Sequence, residues 1–196
     1  MQADLANLVG SRICHDLISP IGAINNGVEL LALTDGGTGA ELALIKQSVE
    51  SAAARIKFFR IAYGAATPVQ TVARSEIRAI LAALSDTGRI SYEWTLDDDQ
   101  SRQKVRCIFL LLQALETALP LGGAIAVGQS GHRIVLRASG RRIAFEQSLW
   151  DGLTMTQAEP CHTAAQVQFA LLPGLLAEAG LSPRVSRTDD HVIVQL

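Results

Sequence analysis

The chain has 196 residues, 48% hydrophobic but only 5% aromatic, and a formal net charge of −2. That balance leaves no electrostatic footprint for nucleic acid. No apolar run reaches the roughly 20 residues of a membrane span, since Cys107 to Leu112 is too short. The polar start Met1-Gln-Ala-Asp4 lacks the basic region of a secretory leader. Three widely spaced cysteines, Cys14, Cys107 and Cys161, fit a reduced compartment, so a cytoplasmic protein is expected.

Residues 2–33 read as one long helix. Ile13, Leu17, Ile21, Ile24, Val28 and Leu31 recur at spacings of three and four, which marks one buried stripe. His15 lies about 160–200° around the helix from Ile13, Leu17 and Ile24, so it should point away from the core. Its own face carries Ser11, Arg12, Ser19, Gly22 and Asn26, all small or polar. A lone histidine is ordinarily a bystander, but here the bulk is cleared as if another molecule must reach the ring. Pro20 removes the hydrogen bond to the carbonyl of Asp16 and predicts a kink one turn past His15. Cys14 and His15 diverge by about 100°, which suits a nucleophilic Cys–His pair poorly. Cys161-His162 lacks the second pair that zinc would need.

Thr34 to Gly39 is a turn signal, and a second helix should follow to about Gly64. Leu42, Ile45, Val49, Ala52, Ile56, Phe59 and Tyr63 form a heptad seam along it. A short loop between two such helices gives an antiparallel hairpin with residue 15 level with about residue 57. Two helices alone bury too little surface, and homodimerisation into a four-helix bundle solves that. Ala65 to Thr71 is a linker. Beyond it the pattern predicts a helix from Arg74 to Asp86, a strand from Arg89 to Leu96 and an apolar helix from Arg102 to Leu119. Strands at Ala124–Val127 and Arg133–Arg137 follow, then a helix from Thr163 to Ala179 stopped by Gly180. A hairpin of 184–187 and 192–196 closes the chain. The expected fold is α+β: a helical hairpin at 1–66, then an α/β sandwich at 72–196.

His15-Asp16-Leu17-Ile18-Ser19-Pro20-Ile21 resembles the H-box of two-component histidine kinases: His, an acid, Leu, any residue, Ser/Thr/Asn, Pro, Leu or Ile. The longer run from Ser11 to Leu31 is similar to the ChpT-type bacterial histidine phosphotransferases, and the similarity extends over nearly the whole chain. The resemblance implies a dimeric hairpin bearing the phosphoacceptor and a second domain like the kinase ATP-binding domain. It implies His15 as the phosphorylated residue, Asp16 as the group that tunes it and Ser19 as a neighbouring hydroxyl. The alternative for Asp16 is a surface ion pair with Arg12, four residues earlier. Arg12, Ile18, Gly22, Asn26, Lys57, Phe58 and Arg60 are the expected partner-binding surface, although Lys57 and Arg60 could equally be a solvated helix face.

The kinase nucleotide site can be traced onto this sequence. Its paired amide positions fall at Gln113 and Thr117. The adenine-binding Asp-x-Gly-x-Gly aligns with Ala138-Ser-Gly140-Arg-Arg142, and the glycine-rich phosphate loop aligns near His162 to Val167, which has no glycine. A domain that keeps the fold without nucleotide binding is expected, with no cofactor held by this chain. His15 would then shuttle phosphate between aspartates of receiver domains, those of a hybrid kinase and of response regulators, which bring Mg²⁺ themselves. The alternatives are a non-catalytic dimeric adaptor for response regulators and an ATP-dependent histidine kinase.

Overall fold

The structure is a computed structural model that describes residues 2–33, 39–67, 69–153 and 163–196. The turn at 34–38 and the Cys161-His162 pair lie outside the described residues. Helix α1 spans Gln2–Leu33 and runs through Pro20. Helix α2 spans Gly39–Ala62 and packs along it. Gly27 is buried at their crossing: a Cβ there would stand 2.5 Å from Cγ1 of Ile45. The absence of a side chain at Gly27 leaves room for the Ile45 side chain. Carried twelve residues along each helix from this pair, the register puts residue 15 level with residue 57.

The apolar stripes divide. On α1, Ile13, Leu17, Ile24 and Leu31 are half-buried, while Ile21 and Val28 are exposed. On α2, Phe59 is buried and Ile45, Ala52 and Tyr63 are half-buried, but Leu42, Val49 and Ile56 are exposed. The expected single buried stripe and seam are therefore half covered within the chain. One neighbouring helix can shield only one side of each.

The rest of the chain builds a five-stranded sheet from β2 (Ile90–Trp94), β4 (Gly123–Ser130), β5 (Arg133–Ser139), β6 (Arg184–Arg187) and β7 (His191–Gln195), in the order β2-β4-β5-β7-β6. β2 runs parallel to β4 and the other pairs are antiparallel. Alternation places Ile125, Val127, Leu136, Ala138, Val192 and Val194 on the buried face. The helices are α3 (Arg74–Thr87), α4 (Arg102–Thr117), a short α5 (Gln147–Asp151) and α6 (Val167–Glu178), the last preceded by a 3₁₀ turn at Ala164–Gln166. A two-residue ribbon, β1 (Thr71–Val72) with β3 (Gln100–Ser101), pins the linker beside α4. Ser101 caps α4, its hydroxyl accepting from the Lys104 amide at 3.3 Å. Gly122 makes the sharp entry to β4 at φ +81°, where a Cβ would lie 2.3 Å from the Arg89 carbonyl. The ribbon and α5 are additions to the sequence expectation, and the helix expected from Thr163 opens as the 3₁₀ turn and becomes α-helical at Val167. Two-residue strands and a five-residue helix are too short to show a period.

One core runs through hairpin and sheet alike. α4 is buried from Cys107 to Leu115. Phe58 of α2 stacks on Phe109 of α4 with ring centroids 4.4 Å apart and planes 9° apart. Tyr63 donates its hydroxyl to Gln113 Oε1 at 2.8 Å. The carbonyls at the end of α2 need outside partners, and α4 supplies them. Arg102 donates to the carbonyl of Arg60 at 2.8 Å and to that of Ala65 at 3.1 Å. Arg106 donates to the carbonyl of Ala62 at 3.3 Å. The expected boundary near residues 66–72 is thus crossed by continuous packing.

Truncating Phe58 to alanine should cost about 3–5 kcal/mol, the range for a buried aromatic. Because the core is shared, circular dichroism of the helices and fluorescence of Trp94 and Trp150 should report one coincident, weakened transition. Separate transitions for hairpin and sheet would contradict the shared core.

Candidate functional site

His15 projects from the middle of α1 with its side chain 83% exposed, as its place opposite the apolar stripe requires. Its Nδ1 lies 3.1 Å from Asp16 Oδ1. The other oxygen, Oδ2, lies 3.0 Å from Nε of Arg12, and these two side chains are only 12% and 14% exposed. Both contacts that the sequence offered as alternatives for Asp16 exist together. The buried carboxylate is held from below by the guanidinium one turn earlier and faces the ring with its remaining oxygen. With Nδ1 as donor to Asp16, the lone pair of Nε2 is left on the exposed side of the ring.

Around this histidine, Ile18 is 68% exposed. Ser19 and Asn26 are exposed and Gly22 is half-buried. Lys57 is exposed on α2 at the level of residue 15, and Arg60 is exposed and paired with Glu76 at 3.2 Å. Phe58 is a correction. It is 3% exposed beneath Phe109 and cannot belong to an accessible surface. Neighbours in a helix point about 100° apart, so a residue next to Lys57 need not share its face. Cys14 is exposed, whereas burial pushes the Cys107 thiol up to about 11, far from a reactive thiolate.

Behind Asp16 lies a cavity of about 370 Å³ between the hairpin and the sheet. Arg12 and Asp16 of α1, Arg55 of α2, Arg89, Tyr92 of β2 and Glu116 of α4 are among its walls. Tyr92 donates its hydroxyl to Glu116 Oε1 at 2.6 Å. Burial raises the pKa of Glu116, more than the Tyr92 hydrogen bond and Arg12 lower it. Burial, then the Glu116 charge, holds the Tyr92 phenol well above its ordinary value. Tyr63 is pushed up to about 12, chiefly by burial. These groups escaped the sequence reading. Their one signal is an acid, Glu116, ending a helix that is otherwise apolar on most sides.

The positions aligned with a nucleotide site have other occupations. The Gln113 amide oxygen accepts from Tyr63, and the Thr117 hydroxyl donates to the Ala114 carbonyl at 2.7 Å. Ala138 is buried in β5 and Arg142 is exposed. Thr117, Phe145 and Trp150 border a depression of about 430 Å³. There the Phe145 and Trp150 rings stack at 5.1 Å, with Phe169 edge-on to Trp150 at 5.2 Å.

Comparison with known proteins agrees with this architecture. Residues 74–191 match the family model of the histidine phosphotransferase C-terminal domain. The chain is 32% identical to the protein phosphotransferase ChpT of Brucella abortus (strain 2308), over 97% of this chain and 93% of that protein. A solved bacterial phosphotransferase superposes with a TM-score of 0.78 at 31% identity, covering 100% of this chain and 96% of the other.

The raised carboxyl of Glu116 has a measurable consequence for stability. The folded chain holds this proton more tightly than the unfolded chain, whose carboxyl titrates near 4.5. Stability from this group is therefore full below that value and is lost as pH rises through the higher folded pKa. Glu116→Gln keeps an acceptor for Tyr92 and removes the titration. Melting temperatures of wild type and variant should match near pH 4, and the variant's should be the higher at pH 8. Parallel curves across that range would refute the assignment.

Proposed function

The chain belongs to the histidine phosphotransferase family, and on that premise we propose that His15 relays a phosphoryl group between receiver-domain aspartates of a bacterial two-component system. The observation that carries this reading is the exposed imidazole held by Asp16 through one nitrogen. The Nε2 lone pair attacks the phosphorus of a receiver's aspartyl phosphate. The P–O bond to the aspartate breaks, the carboxylate leaves, and an N–P bond forms on Nε2. The ring gains positive charge as it does so, and Asp16 stabilises that charge through the Nδ1 proton. Attack by the aspartate of a second receiver reverses the step. The receiver brings the Mg²⁺ that neutralises the transferring group. Arg12 holds Asp16 in position from the buried side.

The chain draws its phosphate from another protein and not from ATP. In support, Gln113 and Thr117 spend their polar atoms within the fold, and Ala138 offers adenine no acceptor. Ile18, Ser19, Gly22 and Asn26 with Lys57 and Arg60 form the receiver-docking surface. The two cations complement the acidic pocket expected of a receiver and act mainly on association rate. The chain works as a homodimer through a four-helix bundle. Ile21 and Val28 on α1, and Leu42, Val49 and Ile56 on α2, repeat at seven-residue spacing and stay exposed in the protomer.

The decisive test is transfer of radiolabel from a phosphorylated receiver. His15→Ala should accept none, and label accepted at the wild-type level would overturn the assignment. Binding of the receiver without transfer by the wild type would instead favour an adaptor. Asp16→Asn should slow transfer by about 10²–10⁴-fold, the scale for loss of a positioned base; a normal rate with a slightly lowered melting point would leave Asp16 as an ion-pair residue only.

Val49→Glu with Ile56→Glu places two charges on the exposed seam. Light scattering at micromolar concentration should give a dimer for the wild type and a monomer for the double variant, with circular dichroism unchanged. An unchanged mass would place the dimer contact elsewhere.

A further inference from the structure

The cavity behind Asp16 has a composition that the relay does not require. Three guanidiniums, Arg12, Arg55 and Arg89, border it, against two acids, Asp16 and Glu116. Nε of Arg12 and Nε of Arg55 are both shut off from solvent, and neither N–H has a hydrogen-bond partner among the described residues. Arg12 Nε is 3.0 Å from Asp16 Oδ2, so the pair attracts without an aligned hydrogen bond. A buried guanidinium N–H left unmet is expensive, because a charge-assisted donor loses its water and receives nothing in return. Here Arg55 is left with such a donor, and Arg12, whose charge already faces Asp16, reaches the same space. They come from different helices, and Arg89 adds a third positive charge to the wall.

We propose that this cavity is a binding site for a small oxyanion of the phosphate class, held between Arg12 and Arg55. Guanidinium donors match the tetrahedral oxygens of such an anion and bind it in paired, charge-assisted hydrogen bonds. Glu116 stands on the same wall with Oε1 taken up by the Tyr92 hydroxyl, and burial raises its carboxyl above the ordinary value against the lowering effect of that hydrogen bond and of Arg12. The walls are polar, which suits an anion with its water and not an apolar ligand.

The site joins the phosphoacceptor through Arg12. If His15 works as proposed above, an anion that draws the Arg12 guanidinium into the cavity weakens its hold on Asp16 and slows transfer. Inorganic phosphate, released whenever a phosphohistidine or aspartyl phosphate hydrolyses, has the required chemistry. A phosphate borne on a nucleotide is the other source.

The test uses the full chain and three probes at fixed ionic strength: inorganic phosphate, AMP and chloride. Calorimetry and melting temperature should show saturable binding of phosphate, with chloride giving none. The expected dissociation constant is about a millimolar or below, corresponding to about 4 kcal/mol of binding. Arg55→Gln should weaken it at least tenfold while accepting label from a phospho-receiver at the wild-type rate in the absence of phosphate. In the wild type, phosphate should also shift the Arg Nε resonances in nitrogen-15 spectra, a readout that does not depend on the variant folding. AMP binding as well as phosphate or better would make a nucleotide phosphate the source. No saturable binding, or binding unchanged in Arg55→Gln, overturns the site. Its failure is distinct from failure of the relay. Absent phosphate binding with normal label acceptance removes the site alone, and saturable binding with no label acceptance removes the relay and leaves the site.

Discussion

Phe58 lying flat against Phe109 is the contact on which the remaining geometry depends. It locks the lower half of the hairpin onto the most deeply buried helix of the fold, and everything near His15 is placed by that junction. Arg102 and Arg106 of α4 then satisfy the open carbonyls at the end of α2. Tyr63 reaches across to Gln113. With α2 fixed this way, Gly27 against Ile45 fixes α1 upon it, and the height of His15 follows. A residue that reads as surface beside Lys57 is in fact the rivet.

This arrangement also accounts for what became of the nucleotide-site positions. Gln113 and Thr117 are polar residues near the end of an apolar helix: the Gln113 amide oxygen ties α4 to Tyr63 of the hairpin, and the Thr117 hydroxyl turns back onto its own helix at Ala114. Phe145 and Trp150 stack on one another beside Thr117 and wall the depression there, with Phe169 edge-on behind Trp150. The architecture survives because its core needs only volume and apolarity, which Ala138 supplies in β5 as well as a longer side chain would. At the positions aligned with the nucleotide-binding chemistry the chain keeps the amide of Gln113 and the glycine at 140 but carries Thr117, Ala138 and Arg142 at the others.

Much of this was legible from residue spacing. The 3.6-residue period carried α1, and the same period, read on the opposite face, exposed His15. The four-residue step from Arg12 to Asp16 and the adjacency of Asp16 to His15 are local relations, so both contacts of the carboxylate could be foreseen as candidates. Long-range relations were not accessible. Nothing local shows that Phe58 turns toward Phe109, that Tyr92 reaches Glu116, or that Arg55 borders a cavity with Arg12 and Arg89. Two-residue strands such as β1 and β3 have no period to detect. Ile21, Val28, Val49 and Ile56 carry a core-like pattern yet stay exposed, because a heptad pattern records apolarity and not which molecule covers it.

The continuous core has a further implication for the economy of the reaction cycle. A histidine supplied by its own chain's nucleotide must be visited by that nucleotide, so the junction between the two parts has to open. Here the junction is stacked, capped and hydrogen-bonded shut, and His15 stands outside it. Under the proposed relay there is no hinge motion between encounter and chemistry. Throughput is then set by residence time: each receiver must leave before the next can dock on the same histidine, so the affinity that helps a complex form also limits how soon the site is free. Under the same proposal, a docking patch of mixed polarity that includes the exposed Ile18 and Lys57 is suited to brief complexes.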